Sequence, residues 1–211
     1  MQKGTTTAFL DTKPHYELLD GLRGVAALMV IWYHIFEGFA TSPIDQRFNH
    51  GYLAVDFFFI LSGFVIGYAY DDRWKTMKTK DFFKRRLIRL HPMVVLGAVL
   101  GSITFCIQGC EKWDGSQVSI SMVMLAMLMG IFLIPVAPGA GPEVRGNGEM
   151  YPLNGPSWSL FFEYIGNILY ALFIRKLSTK ALTVLVVLAG IGLASFAIFN
   201  FSVCFFPTIR G

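Results

Sequence analysis

The sequence predicts an all-α fold, a polytopic transmembrane helix bundle of about six spans. Two observations carry that prediction. Hydrophobic residues make up 54% of the 211-residue chain and charged residues only 15%, whereas a soluble domain carries about 25% charged residues. The apolar residues also fall into stretches close to 20 long, the length of helix that crosses a ~30 Å hydrocarbon core at ~1.5 Å per residue. So few charges exclude a disordered chain and leave too little polar surface to cover a water-soluble globule. Period-two alternation is absent, which disfavours an outer-membrane barrel. With 3 Cys there is neither a disulfide framework nor zinc-type spacing, so no bound metal is expected.

Taken in order, the spans run from about Gly21 to Ala40, Tyr52 to Tyr70, Met93 to Gln108, Val118 to Ala137, Trp158 to Ile174, and Ala181 to Phe206. The first 20 residues hold Asp11, Lys13, Pro14, Glu17 and Asp20 with no apolar run among them, so they do not form a cleavable signal peptide. Residues 1–15 read as a cytoplasmic tail and 16–211 as the membrane domain. Arg73, Lys75, Lys78, Lys80, Lys84, Arg85, Arg86 and Arg89 follow span two and are 8 of the 18 basic residues. Such a cluster stays in the cytoplasm. Spans one and two then form a hairpin whose connection, about Thr41 to His50, faces outside, and the N-terminus is cytoplasmic. Simple alternation puts Gly109 to Gln117 outside and Pro138 to Pro156 inside. It also puts Arg175, Lys176 and Lys180 outside, against the positive-inside rule, unless part of the Gly/Pro-rich segment 138–157 dips back into the membrane.

Ionisable groups at membrane depth cost several kcal/mol and are functional candidates for that reason. Arg23 and His34 in span one are eleven positions apart. At ~100° per residue this comes within about 20° of three full turns, so both share a face, about 16 Å apart along the axis. Arg23 is a permanent cation near the cytoplasmic boundary. His34, deeper and towards the outer half, can exchange a proton near neutral pH. The plainer alternative is a snorkelling Arg23 and a His34 bonded to a carbonyl. Glu37 either orients the imidazole or marks the end of the span.

Span two places Asp56 before the aromatic run Phe57-Phe58-Phe59, where a carboxylate calls for a partner such as His34, Arg23 or a backbone donor. Gly63 and Gly67 suit close helix contact. The segment Asp81 to Pro92 is basic and amphipathic. It reads either as an interfacial anchor on anionic lipid or as a cationic platform with Arg85, Arg86 and Arg89 as forks for a polyphosphate. In span five, Ser159, Glu163 and Asn167 form an i, i+4, i+8 stripe behind Trp158. Glu163 there reads as a proton relay, an acceptor ligand or interhelical glue. No phosphate loop, nucleophile elbow or nucleotide fingerprint is present, and no nucleic-acid partner is expected.

In combination these elements resemble the bacterial acyltransferase-3 family of integral membrane O-acyltransferases. The match rests on Leu19-Asp20-Gly21-Leu22-Arg23-Gly24 with His34 ten residues on, Val55 to Phe64, Phe82 to Pro92, and Trp158-Ser159-Leu160 with Glu163. It spans roughly residues 15 to 211, and against about ten family helices this chain reads as an N-terminal portion, with Ile209-Arg210-Gly211 as the approach to a further helix. The resemblance implies transfer of an acyl group, usually acetyl, from acyl-coenzyme A as co-substrate, with no bound cofactor, to a hydroxyl of a cell-envelope glycan or other small acceptor. It implies a multi-pass protein of the bacterial cytoplasmic membrane. It makes His34 the catalytic group and Arg23 its partner, with Asp56 and Glu163 in supporting roles. Arg85, Arg86 and Arg89 would meet the coenzyme A phosphates, and Trp158 and Ser159 the acceptor. Direct attack and an acyl-histidine intermediate both remain open. A transporter or flippase, or an inactive fragment, are the competing readings.

Overall fold

The computed structural model describes residues 16–37, 39 and 50–205, with side chains described to residue 199. The expected tail 1–15, most of the Thr41 to His50 connection and the closing Ile209-Arg210-Gly211 lie outside the described residues. The described residues form six helices: α1 (Glu17–Glu37), α2 (Leu53–Tyr70), α3 (Thr79–Ile107), α4 (Ile120–Ile131), α5 (Ser157–Leu172) and α6 (Thr179–Phe205), with 3-10 turns at Asp71–Lys75 and Ile174–Lys176. Five of them, all but α4, are long and apolar enough to cross a membrane. The chain divides into two compact units, with the boundary after Val65, inside α2.

In the first unit α1 and the start of α2 form the expected hairpin. Tyr16 lies edge-on to Phe64 with centroids 5.9 Å apart, and at the opposite end of α1 Tyr33 lies against Gly51. The backbone of Gly51 approaches so closely that a Cβ would overlap the Tyr33 side chain and sit 3.1 Å from the Met29 carbonyl.

In the second unit α3 is the central element. Its 29 residues join what the sequence suggested as two pieces, the basic segment 81–92 and span three. Pro92 is exposed, and the helix runs through it. Phe82, Arg86, Leu90, Val94, Ala98, Ser102 and Phe105 are its buried residues, a stripe at close to four-residue spacing, as one helix face requires. That stripe meets α5 at the Phe82 end, where Ile66, Phe82, Tyr170 and Ala171 cluster with Trp74 packed against them. Farther along, Val94 packs with Leu133 and Tyr151, and Phe105 with Val123, Ala126, Val144 and Leu153.

Close approach on this face depends on Gly97 and Gly101. A Cβ at Gly97 would overlap the Asn154 side chain, and one at Gly101 the Leu153 carbonyl. The segment just before α5 therefore lies directly on the α3 backbone.

The fourth hydrophobic stretch, expected over about Val118 to Ala137, is helical only over 12 residues. That is about 18 Å of helix, well short of a ~30 Å core. Leu133 adopts a left-handed conformation at φ +51°. The Ile134 amide donates to the Met129 carbonyl at 2.8 Å and the Leu133 amide to Gly130 at 3.1 Å, the bond pattern of a Schellman stop. The Tyr151 hydroxyl then donates to the Leu133 carbonyl at 2.9 Å. This stop uses Leu where glycine is usual, so no residue type marks it in the sequence.

Candidate active site

The candidate residues fall in both units, and each group is described within its own. In the first unit, α1 is one unbroken helix, so Arg23 and His34 share a face as their spacing requires, about 16 Å apart along the axis. Arg23 Nη1 donates to Asp20 Oδ1 at 3.0 Å. His34 Nδ1 lies 2.7 Å from Glu37 Oε2, and the Tyr33 ring stands edge-on to the imidazole with centroids 5.3 Å apart. A carboxylate on Nδ1 favours the tautomer protonated there and leaves Nε2 as the free lone pair. Glu37 is at once the last residue of α1 and the partner of the His34 ring. Asp56 is exposed in the first turn of α2 and makes no ion pair with Arg23 or His34 among the described residues.

In the second unit the three arginines of α3 separate. Arg85 and Arg89 are exposed, one turn apart on the same face. Arg86 belongs to the buried stripe, and its Nη2 donates to Glu163 Oε1 of α5 at 2.6 Å. The side chains of this pair are 4% and 22% exposed. Asn167, one turn on from Glu163, donates its Nδ2 to the Glu163 carbonyl at 2.7 Å. Arg86 Nε, Tyr164 Oη and Asn167 Oδ1 are buried without a hydrogen-bond partner. The polar groups of the α3–α5 contact are thus gathered at one level. Sequence reasoning missed Tyr164, which lies off the 159–163–167 stripe, although it directly follows the glutamate.

Ser159 Oγ donates to the Pro156 carbonyl at 2.8 Å, bonding back to its own helix backbone rather than extending the polar stripe. Trp158 is exposed beside Phe162, ring centroids 6.2 Å apart. At the far end of α5 the Tyr170 hydroxyl donates to Asp71 Oδ1 at 2.5 Å and accepts from Trp74 Nε1 at 3.1 Å. The Arg175 guanidinium lies 4.0 Å above the Trp74 ring, a cation–π contact.

The loops before and after α4 form one polar body. The Glu143 carboxylate, buried at 5% exposure, accepts from the backbone amides of Gly146 at 2.8 Å and Asn147 at 3.0 Å. Arg145 Nε donates to the Pro152 carbonyl at 2.7 Å. Bonds from the Ser116 hydroxyl and backbone amide hold the Asp114 carboxyl below the ordinary carboxylate range. Among the described residues no group of three or more His, Cys, Asp or Glu is arranged to hold a metal.

Comparison with known proteins gives the chain relatives. A family model described as an acyltransferase domain matches residues 16–209. "Protein 2 in picA locus" of Rhizobium radiobacter is 35% identical over 165 residues, covering 73% of this chain and 80% of that protein. A Staphylococcus aureus protein that carries the name of an O-acetyltransferase is 39% identical over 95 residues, 43% of this chain and 14% of its own length. Acyltransferase MdmB of Streptomyces mycarofaciens is 29% identical over 179 residues, 78% of this chain and 41% of its own length. The chain thus spans most of the first relative and less than half of the other two. No solved structure matches it.

Proposed function

Because the chain belongs to the acyltransferase-3 family, we propose that it is a membrane-bound O-acyltransferase. It moves an acyl group, acetyl above all, from acyl-coenzyme A to a hydroxyl of a cell-envelope polysaccharide or a similar acceptor. The observation that carries the chemistry is the His34–Glu37 contact at 2.7 Å, which leaves His34 Nε2 available as a base. His34 takes the proton of the acceptor hydroxyl as its oxygen attacks the thioester carbonyl. The tetrahedral oxyanion collapses, the carbon–sulfur bond breaks, and the imidazolium returns its proton to the departing thiolate. Products are the ester and free coenzyme A. Glu37, exposed together with His34, stabilises the transient imidazolium by charge. Arg23, one face along the same helix, offsets negative charge on the donor side.

For the donor, the exposed Arg85 and Arg89 supply cations for the coenzyme A phosphates, whereas Arg86 is engaged with Glu163 and acts by holding α3 to α5. Trp158 and Ser159 remain the acceptor-side candidates. The setting is the bacterial cytoplasmic membrane, with the N-terminus in the cytoplasm.

The test is thiol release from acetyl-coenzyme A by the purified full-length open reading frame in lipid, with a panel of hydroxyl acceptors. His34→Ala is expected to lower the acceptor-dependent rate by about 10²–10⁴-fold, the usual contribution of a positioned general base. Release by His34→Ala at the parent rate would sink the assignment.

A further inference from the structure

We propose that α4 is not a membrane span but the descending arm of a re-entrant hairpin, residues 120–156, that enters and leaves the bilayer on one side. The two loops at its ends touch. The Trp113 amide donates to the Arg145 carbonyl at 3.0 Å, and the Lys112 side chain packs on Gly146, 3.6 Å from where its Cβ would be. Arg145 also lies over the Phe105 ring near the end of α3, 5.3 Å from its centroid. Residues joined by a hydrogen bond cannot sit on opposite sides of a ~30 Å hydrocarbon core.

The length of α4 agrees, since about 18 Å of helix followed by a Schellman stop can enter such a core but not cross it. The return limb is held to the descending one by the Val136 amide on the Met150 carbonyl at 2.9 Å and by Tyr151 on Leu133 at 2.9 Å. Backbone groups at membrane depth are tolerated where protein covers them, and Val136, Val144, Tyr151 and Leu153 are all buried.

The direction of α5 follows. Its entry segment, Leu153 and Asn154, lies on Gly101 and Gly97 of α3, Glu163 meets Arg86, and Tyr170 meets Phe82 with centroids 5.8 Å apart. The helices are antiparallel, so α5 ends where α3 begins. Arg175, on the Trp74 ring, therefore brings Lys176 and Lys180 to the same membrane face as the eight basic residues of 73–89. The breach of the positive-inside rule disappears, because the dipping element is α4 and the chain returns at Arg145 to the side of 109–117. One basic face then meets the anionic cytoplasmic leaflet. The assignment of sides rests on the orientation proposed above.

The hairpin is tested in the full chain by single cysteines, Ser116→Cys, Asn147→Cys and Ser178→Cys, in a background with Cys106, Cys110 and Cys204 changed to Ser. A membrane-impermeant maleimide is applied to spheroplasts before and after permeabilisation. Positions 116 and 147 are expected to label in intact spheroplasts and 178 only after permeabilisation. Position 147 labelling with 178 and apart from 116 would overturn the hairpin. The reverse pattern, with 178 alone labelled in intact spheroplasts, keeps the hairpin and overturns the assignment of sides. If the cysteine-free background fails to accumulate, short epitopes inserted at the same three positions of the native chain, read by antibody before and after permeabilisation, give the same decision. Loss of thiol release is a separate readout, so the hairpin and the proposed activity fail independently.

Discussion

Arg86 Nη2 and Glu163 Oε1, 77 positions apart in sequence, meet at 2.6 Å between α3 and α5. Arg86 occupies a core position in the buried stripe of α3, between Phe82 and Leu90, so the guanidinium has little access to water and depends on this one carboxylate. Removing one partner of such a pair leaves a buried charge uncompensated. Glu163→Ala is therefore expected to destabilise the protein by about 3–5 kcal/mol, read as a lowered midpoint of thermal unfolding in detergent. Arg86→Met with Glu163→Leu together should recover most of that loss. A double variant no more stable than Glu163→Ala would show that the pair does more than compensate charge.

The glycines of α3 give a second expectation. At Gly101 an added Cβ meets the Leu153 carbonyl, and at Gly97 it meets the end of the Asn154 side chain. A side chain can step aside and a backbone carbonyl cannot, so Gly101→Ala should cost more than Gly97→Ala, within the ~1–3 kcal/mol typical of overpacking. Thermal unfolding of the two variants side by side checks the order. Equal melting points would mean that the 153–154 segment moves as a unit.

For the catalytic pair, Glu37→Gln keeps a hydrogen-bonding group beside His34 but loses the charge that favours the imidazolium. Thiol release should fall, by less than in His34→Ala, because the ring keeps its own basic nitrogen. Rates equal to the parent would remove Glu37 from the mechanism while leaving His34 in it.

The loop ahead of α4 should respond to acid. Asp114 has its carboxyl pKa lowered by Ser116, so its charged form favours the folded loop. That contribution is complete above the ordinary carboxylate value of about 3.9 and is lost as pH falls through the lowered folded value. Amide exchange at Gly115 and Ser116 should accelerate only in strong acid, and Asp114→Asn should remove the dependence. Unchanged exchange through that window would mean that the carboxylate does not hold the turn.

Much of the candidate site was legible in the sequence because helical periodicity is local. Arg23 and His34 fall on one face by counting, and Glu37 reaches His34 because three residues make nearly one turn. Arg86 shows where the reading stopped. Three arginines within five positions looked alike as phosphate forks, and only the burial of the α3 stripe sets one of them apart. Likewise Ser159 was grouped with Glu163 and Asn167 by spacing, whereas its hydroxyl bonds the Pro156 carbonyl, a local competitor that spacing does not reveal.

The sequence by itself determined that the chain is helical and built for a bilayer, where most of its helices fall, and which family it resembles. These follow from composition, from runs matched to membrane thickness, and from motifs read along one strand of chain. Only the tertiary structure decided that the fourth apolar stretch stops after 12 residues. It also decided that Arg86 faces a carboxylate and that Trp113 bonds the Arg145 carbonyl. A left-handed leucine, a buried ion pair and a loop-to-loop hydrogen bond depend on partners distant in sequence. Hydropathy counts residues without knowing what they will meet.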